Sequence, residues 1–145
     1  MYKNILIATD GSELAEKAVR EGINVAKGLG AKVILFTASP AFRLFETDSS
    51  MFGVKATAYK EACERRAGED LARGEKVAKS AGVECETLHS YGDHPYKSII
   101  QAARKNGCDL VVMASHGRKG VAGVLLGSET AKVLTHSKIP VLVCR

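Results

Sequence analysis

Short, continuous apolar runs alternate along this chain with longer stretches in which apolar residues return every three or four positions. The first run, Lys3 to Thr9 (KNILIAT), is bounded by polar residues and predicts a buried strand. Asp10-Gly11-Ser12 breaks it. From Glu13 onward Ala15, Ala18, Val19, Gly22, Ala26 and Leu29 recur at helical spacing, and Gly28 and Gly30 predict where that helix ends. Lys32 to Ala38 (KVILFTA) is a second buried strand. Residues Ser39 to Thr57 follow no period. With Pro40, Phe42, Phe45, Asp48-Ser49-Ser50 and Gly53 they predict a long loop, either a lid over a ligand or a surface insertion.

The second half repeats the alternation. Ala58 to Ala81 predicts a long charged helix with a thin stripe of Ala62, Ala67, Leu71, Ala78 and Ala81. Gly68 and Gly74 weaken it, each costing about 1 kcal/mol against alanine. Val83 to Ser90 (VECETLHS) alternates as an exposed edge strand would. Gly92-Asp93-His94-Pro95 turns into a helix with Pro95 at its first position. Tyr96, Ile99, Ile100 and Ala103 form the buried stripe, and Asn106-Gly107 closes it. Leu110 to Ala114 is a strand that stops at Ser115-His116-Gly117. A loop carrying Gly117, Gly120, Gly123 and Gly127 follows. Ser128-Glu129-Thr130 opens a helix over about 127–137, and Ile139-Pro140-Val141-Leu142-Val143 leads into a last strand running from Pro140.

Continuously apolar strands separated by helices imply an α/β fold: a single doubly wound domain whose five-stranded parallel sheet is covered on both faces, with right-handed crossovers. In such sheets ligands bind beyond the carboxyl ends of the strands, where the strand order reverses. The most turn-rich strand ends are Asp10-Gly11-Ser12 and Ser115-His116-Gly117. Setting the first and fourth strands side by side predicts the order 3-2-1-4-5.

Composition narrows the class. The chain has 145 residues, enough for one domain spanning 1–145 that buries about 68–70% of its unfolded surface without help from metals or disulfides. No apolar run approaches the ~18 residues of a membrane span. Met1-Tyr2-Lys3-Asn4 runs straight into a strand, with no secretory signal pattern, so the expected location is cytoplasmic. Cys63, Cys85, Cys108 and Cys144 form no CxxC pair and have no histidine at zinc-ligand spacing, so they are expected to be reduced and mostly buried. The net charge of +5 comes largely from scattered lysines, which suits a solvated surface better than a nucleic-acid site.

The chemistry converges on the glycine loop. Strand, glycine loop and helix start together present backbone N–H groups to an anion. Ser128 is either a phosphate ligand or simply an N-cap, worth about 1 kcal/mol. Arg118 and Lys119 either contact phosphate or are solvated. The loop is not a Walker motif, which needs lysine directly before the Ser/Thr, and it is not GxGxxG. Asp10 either accepts hydrogen bonds from a ribose or an adenine amino group, or caps the next helix in a box with Glu13. His94 and His116 lie nearest this site, but no GxSxG elbow, HExxH pair or Cys/His arrangement accompanies them.

Taken together, Lys3 to Ser12 (KNILIATDGS), Gly92-Asp93-His94-Pro95, Asp109 to Gly117 (DLVVMASHG) and Pro140 to Val143 resemble the universal stress proteins of the UspA type over nearly the whole chain. The ATP-binding branch carries Gly, two residues, Gly, nine residues, Gly and Ser/Thr. Gly117, Gly127 and Ser128 match it, and Ala114 stands where the first glycine would be. The resemblance implies an adenine nucleotide alpha hydrolase-like fold. It implies that Asp10 faces the adenine or ribose and that Ala38 offers its backbone to the adenine edge. Ala114 and Gly117 would lie along the ribose and phosphates, with Thr9 and Met113 counted beside them. Gly127, Ser128 and Glu129 would meet the phosphates, mainly through chain N–H groups and the Ser128 hydroxyl, and Arg118 would be an outer contact. The ligand would be ATP, or ADP or AMP, with any Mg2+ or Mn2+ riding on the phosphates. The resemblance also implies a homodimer through the last strand (Val141, Leu142, Val143), a regulatory rather than catalytic protein. A slow ATPase or nucleotidyl-transfer enzyme, and a nucleotide-free partner-binding dimer, remain the alternatives.

Overall fold

Ile5, Leu6 and Ile7 are each 0% exposed in the computed structural model, which describes residues 1–42, 52–118, 120, 123 and 125–145. Successive side chains of a strand point to opposite faces, so three buried in a row require cover on both. The chain supplies it in the order β1 (Asn4–Ala8), α1 (Glu13–Leu29), β2 (Lys32–Ser39), α2 (Phe52–Ala81), β3 (Cys85–Tyr91), α3 (Pro95–Lys105), β4 (Leu110–Ala114), α4 (Ser128–His136) and β5 (Val141–Cys144). The strands form one parallel sheet in the order β3-β2-β1-β4-β5, as the turn-rich strand ends predict. Ile5, Ile7, Val33, Leu35 and Val112 pack with Val19, Ile23, Leu71 and Ala78 of α1 and α2. Leu6, Phe36, Val111 and Met113 turn the other way, onto Ile99 and Ala103 of α3 and Val133 of α4.

Local signals explain most boundaries. Ser12 is the N-cap of α1, its Oγ accepting the Ala15 N–H at 3.2 Å, and Gly30 closes the helix at φ +65°. The capping box read at Asp10 and Glu13 therefore does not form. Leu29, counted in the stripe, is 40% exposed, while Ile23 is fully buried. Pro95 begins α3 behind His94, and Gly107 at φ +64° follows its end. Ala102 joins Ile99 and Ala103 as the buried residues of α3, with Tyr96 and Ile100 only partly covered. β3 is an edge strand, as expected, although it starts at Cys85 rather than Val83. The Asp109 carboxylate accepts the Lys3 and Asn4 N–H groups at 2.9 and 3.1 Å, pinning the start of β1 beside β4.

The clearest departure is α2. It begins at Phe52, so residues 52–57 of the expected loop are helical; residues 43–51, the rest of the proposed lid apart from 39–42, lie outside the described residues. A helix of 30 residues is about 45 Å long, whereas the eight residues of β2 span about 27 Å. The amino-terminal half of α2 therefore overhangs the sheet, and Ala62 of the expected stripe is exposed. This overhang is tied down by polar contacts: the Tyr59 hydroxyl donates to the Pro40 carbonyl at 2.5 Å, and the Tyr91 hydroxyl to that of Lys60 at 3.4 Å. Ala67, Leu71, Gly74 and Ala78 carry the buried face, with Asp70 among them, and Val77 and Ala81 pack partly buried beside it. No described helix is long and apolar enough to cross a membrane.

Two helical glycines separate packing from propensity. A Cβ on Gly22 would stand 2.6 Å from Ile7 Cδ1 and 3.2 Å from Val112 Cγ1, whereas one on Gly68 would meet nothing within 4 Å. Gly22→Val is expected to destabilise by about 1–3 kcal/mol through overpacking. Gly68→Ala is expected to stabilise by up to about 1 kcal/mol through helix propensity. Urea unfolding midpoints of the two variants check the opposite signs.

Candidate functional site

The carboxyl ends of β1 and β4 lie side by side, with Ile7 opposite Val112, and the chain leaves them toward different faces. β1 feeds α1 on one side of the sheet; β4 feeds the glycine loop and then α4 on the other. A cleft forms at such a switch point because neither connection covers it.

Asp10 stands at this point and binds both banks. One carboxylate oxygen accepts the Ser12 N–H at 3.0 Å, and the other accepts the Arg118 N–H at 2.8 Å. The Arg118 Nε donates back to the Asp10 carbonyl at 2.8 Å. The Asp10 side chain thus clasps the glycine loop to the β1–α1 turn instead of capping α1. Thr9 is buried; its N–H donates to the Phe36 carbonyl at 2.9 Å, and its hydroxyl accepts the Gly11 N–H at 3.2 Å. Behind the turn, Gly11 has φ +75°, and the space a Cβ would need is filled by the Asp70 carboxylate. Asp70 is 8% exposed and takes the Arg73 guanidinium at 2.6 Å, while Arg73 also holds Glu16 at 2.7 Å. Sequence reasoning missed this brace. Its signal is an aspartate within the packed face of α2 with an arginine three residues on.

The loop glycines are there for contact. A Cβ on Gly117 would collide with the Asp10 carboxylate, and one on Gly120 with the His116 ring. A Cβ on Gly127 would sit 3.0 Å from the His116 Cα, and Gly123 has φ +89°. The loop is closed at its base by the Gly127 N–H on the Ser115 carbonyl at 2.6 Å and by the Thr130 hydroxyl on the Ala114 carbonyl at 2.9 Å. Thr130 is 3% exposed and is a second residue the sequence did not single out.

Gly127, not Ser128, is the N-cap of α4, and no side chain caps it. The capping role considered for Ser128 is therefore absent; the serine is the first helical residue, exposed and without a hydrogen-bond partner among the described residues. The first-turn N–H groups of a helix have no intrahelical acceptors, and here no side chain provides one. Together with the helix dipole they make an anion-binding end. Glu129 differs from expectation at its side chain: Oε2 accepts the Tyr96 N–H at 3.0 Å, and Oε1 pairs with Lys132 at 3.2 Å. It caps α3 and can offer an anion only its backbone.

Strand register gives the orientation of the remaining expected residues. Met113 is a core residue on the α3–α4 face. Ala114 packs its methyl on Ala15 and Ala18 of α1. Along a parallel strand, consecutive residues turn their N–H and C=O alternately to the two neighbours. Phe36 serves β1 through Thr9, and Ser39 serves the β3 side through Gly92. Ala38 therefore turns its pair toward the β1 side, past Ala8, the last residue of β1 in register. A cavity of 570 Å³ adjoins the loop on its α1 side, lined by Lys17, Arg20, His116, Arg118 and Arg145 among others; Ala38, Gly127 and Ser128 do not line it.

Other chemistry has less support. His116 Nδ1 lies 3.3 Å from the Ser115 hydroxyl, with no carboxylate orienting it among the described residues. His94 sits at the N-cap of α3 and stacks on Tyr96 at 6.0 Å. No described group of three His, Cys, Asp or Glu side chains could hold a metal ion. All four cysteines are unpaired, one buried and three half-buried, and burial pushes the Cys85 and Cys108 thiols up to about 11.

Residues 1–145 match the model of the Universal stress protein family. Universal stress protein MJ0531 of Methanocaldococcus jannaschii is 32% identical over 150 residues, covering 100% of this chain and 83% of that protein. The structure of UspA from Lactobacillus plantarum aligns with a TM-score of 0.84 at 25% identity, covering 99% of this chain and 98% of that one. A universal stress protein crystallised in complex with cAMP aligns with a TM-score of 0.73 at 25% identity, covering 99% and 97%.

Removing the clasp tests the site's architecture. Asp10→Ala is expected to accelerate hydrogen exchange of the Ser12 and Arg118 amides and to lower stability by about 1–2 kcal/mol, the range for hydrogen bonds to a charged group discounted for its partial exposure. Unchanged exchange at Arg118 would show that the loop holds itself.

Proposed function

This chain belongs to the universal stress protein family, and we propose that it binds an adenine nucleotide across the cleft between the ends of β1 and β4. The observation that carries the reading is the uncapped start of α4, where Ser128 projects a free hydroxyl beside backbone donors at the mouth of a glycine loop. Polyanions favour such an end because the dipole and the N–H groups act together. The phosphates of ATP, or of ADP or AMP, would meet the N–H groups of Ser128 and Glu129 and the Ser128 hydroxyl. Gly117 and Gly127 would admit them closely, with Arg118 outside. The backbone of Ala38 would take the adenine edge, with Met113 below and the ribose beside Thr9, Asp10 and Ala114. The methyl of Ala114 packs with Ala15 and Ala18 of α1, which supports a close approach of the ribose to its backbone. A relative in complex with cAMP supports the ligand class.

A divalent cation, Mg2+ or Mn2+, would be held by the phosphates, since the described residues form no carboxylate cage of their own. The protein would act in the cytoplasm as a regulatory homodimer rather than a fast enzyme. β5 pairs only with β4, and its other edge carries Leu142, 37% exposed, between Val141 and Val143. Such an edge is a template for a second chain.

Native mass spectrometry of freshly purified protein tests ligand and assembly together. The expected species is a dimer carrying the mass of ATP or ADP, and Ser128→Ala is expected to weaken ATP binding by roughly tenfold, the loss of a charge-assisted hydrogen bond. A dimer that stays bare after ATP and Mg2+ are added would leave the nucleotide-free alternative. Nucleotide turnover lost in Asp10→Ala would instead favour the slow ATPase.

A further inference from the structure

On the opposite side of the molecule from α1, α3 and the end of α4 border an open depression of about 770 Å³. It is lined by Tyr96, Lys97, Ile100, Gln101, Arg104, Lys105 and His136, with no carboxylate among the described lining residues. Lys97, Arg104 and Lys105 make no ion pair with any described residue. The Tyr96 ring is surrounded by cationic or protonatable groups: Lys97 Nζ at 5.9 Å, Lys132 Nζ at 5.6 Å, and the rings of His136 at 5.1 Å and His94 at 6.0 Å. Only Lys132 is neutralised, by Glu129.

Helix electrostatics do not account for this arrangement. Arg104 and Lys105, in the last turn of α3, suit the negative end of the dipole. Lys97 lies in the first turn, where the dipole alone disfavours a cation; that turn contains no acidic residue of its own, and the Glu129 carboxylate that caps it is shared with Lys132. A cation kept against its local preference is explained when it serves something else.

We propose that this α3–α4 face is a second anion site, built for a linear polyphosphate. The cations lie along one face of α3 from Lys97 to Lys105, a row of about 12 Å at 1.5 Å per residue. A single phosphate reaches one end of that row; a chain of phosphoryl groups reaches both. The Arg104 guanidinium supplies a fork for two phosphoryl oxygens, while Lys97 and Lys105 supply point charges and Gln101 a neutral donor between them. The depression has the size of a small-molecule site, roughly 300–1,000 Å³, rather than of a groove for a duplex. The site stands apart from the glycine loop and shares no lining residue with the cavity beside it.

The test is a titration of 15N-labelled protein with sodium tripolyphosphate at low salt, followed amide by amide. Saturable shifts are expected at Lys97, Gln101, Arg104 and His136, weakening as salt screens the charges. Arg104→Ala with Lys105→Ala is expected to reduce affinity at this cluster at least about tenfold. Lys97→Glu places an acid where the dipole favours one, so it is expected to fold at least as stably and still lose binding. Shifts confined to Gly117, Gly127 and Ser128 would overturn the proposal while leaving the nucleotide reading intact. So would unchanged affinity in these variants, or tighter binding of duplex DNA or a polyglutamate peptide than of tripolyphosphate.

Discussion

The structure depends on a short segment, Ile5-Leu6-Ile7, that no solvent reaches from either face. A strand buried on both sides must lie in the middle of a covered sheet, and its helices must be divided between the faces. That requirement makes β1 and β4 part company at their carboxyl ends, one leading to α1 and the other to α4. The gap is what remains where the two connections separate, so the position of the proposed site follows from how the core is buried.

What turns a cleft into a binding site is the treatment of polar groups around it. Asp10 uses both carboxylate oxygens on backbone N–H groups from opposite banks, which holds the glycine loop in place before any ligand arrives. Asp70, buried on α2, braces the same turn from behind. The start of α4, by contrast, is left without a side-chain cap. Satisfied donors on the walls and unsatisfied donors at the end are the arrangement a preorganised anion site requires, because ordering of the protein then costs little on binding.

The same contrast appears on the α3–α4 face. There Glu129 caps α3 and neutralises Lys132, while Lys97, Arg104 and Lys105 make no ion pair with any described residue. Glu129 follows Ser128 in the first turn of α4, so that turn ties the proposed nucleotide site to the start of α3.

The sequence alone determined the element order, the strand order and the place of the glycine loop, because hydrophobic period and turn residues are local signals that survive in one dimension. It misread residues 52–57, since a helix that overhangs the sheet has no core to impose an apolar stripe, and its polar face looks like a loop. It left open whether Asp10 and Ser128 were caps. Only the tertiary structure decided that, because Ser12 took the first cap and Gly127 the second, and because the partner of Asp10 is Arg118, far away along the chain. Asp70, Thr130 and the turned-away side chain of Glu129 belong to the same category. Their roles are set by which backbone group lies opposite them, and that is a property of packing in space and not of spacing along the chain.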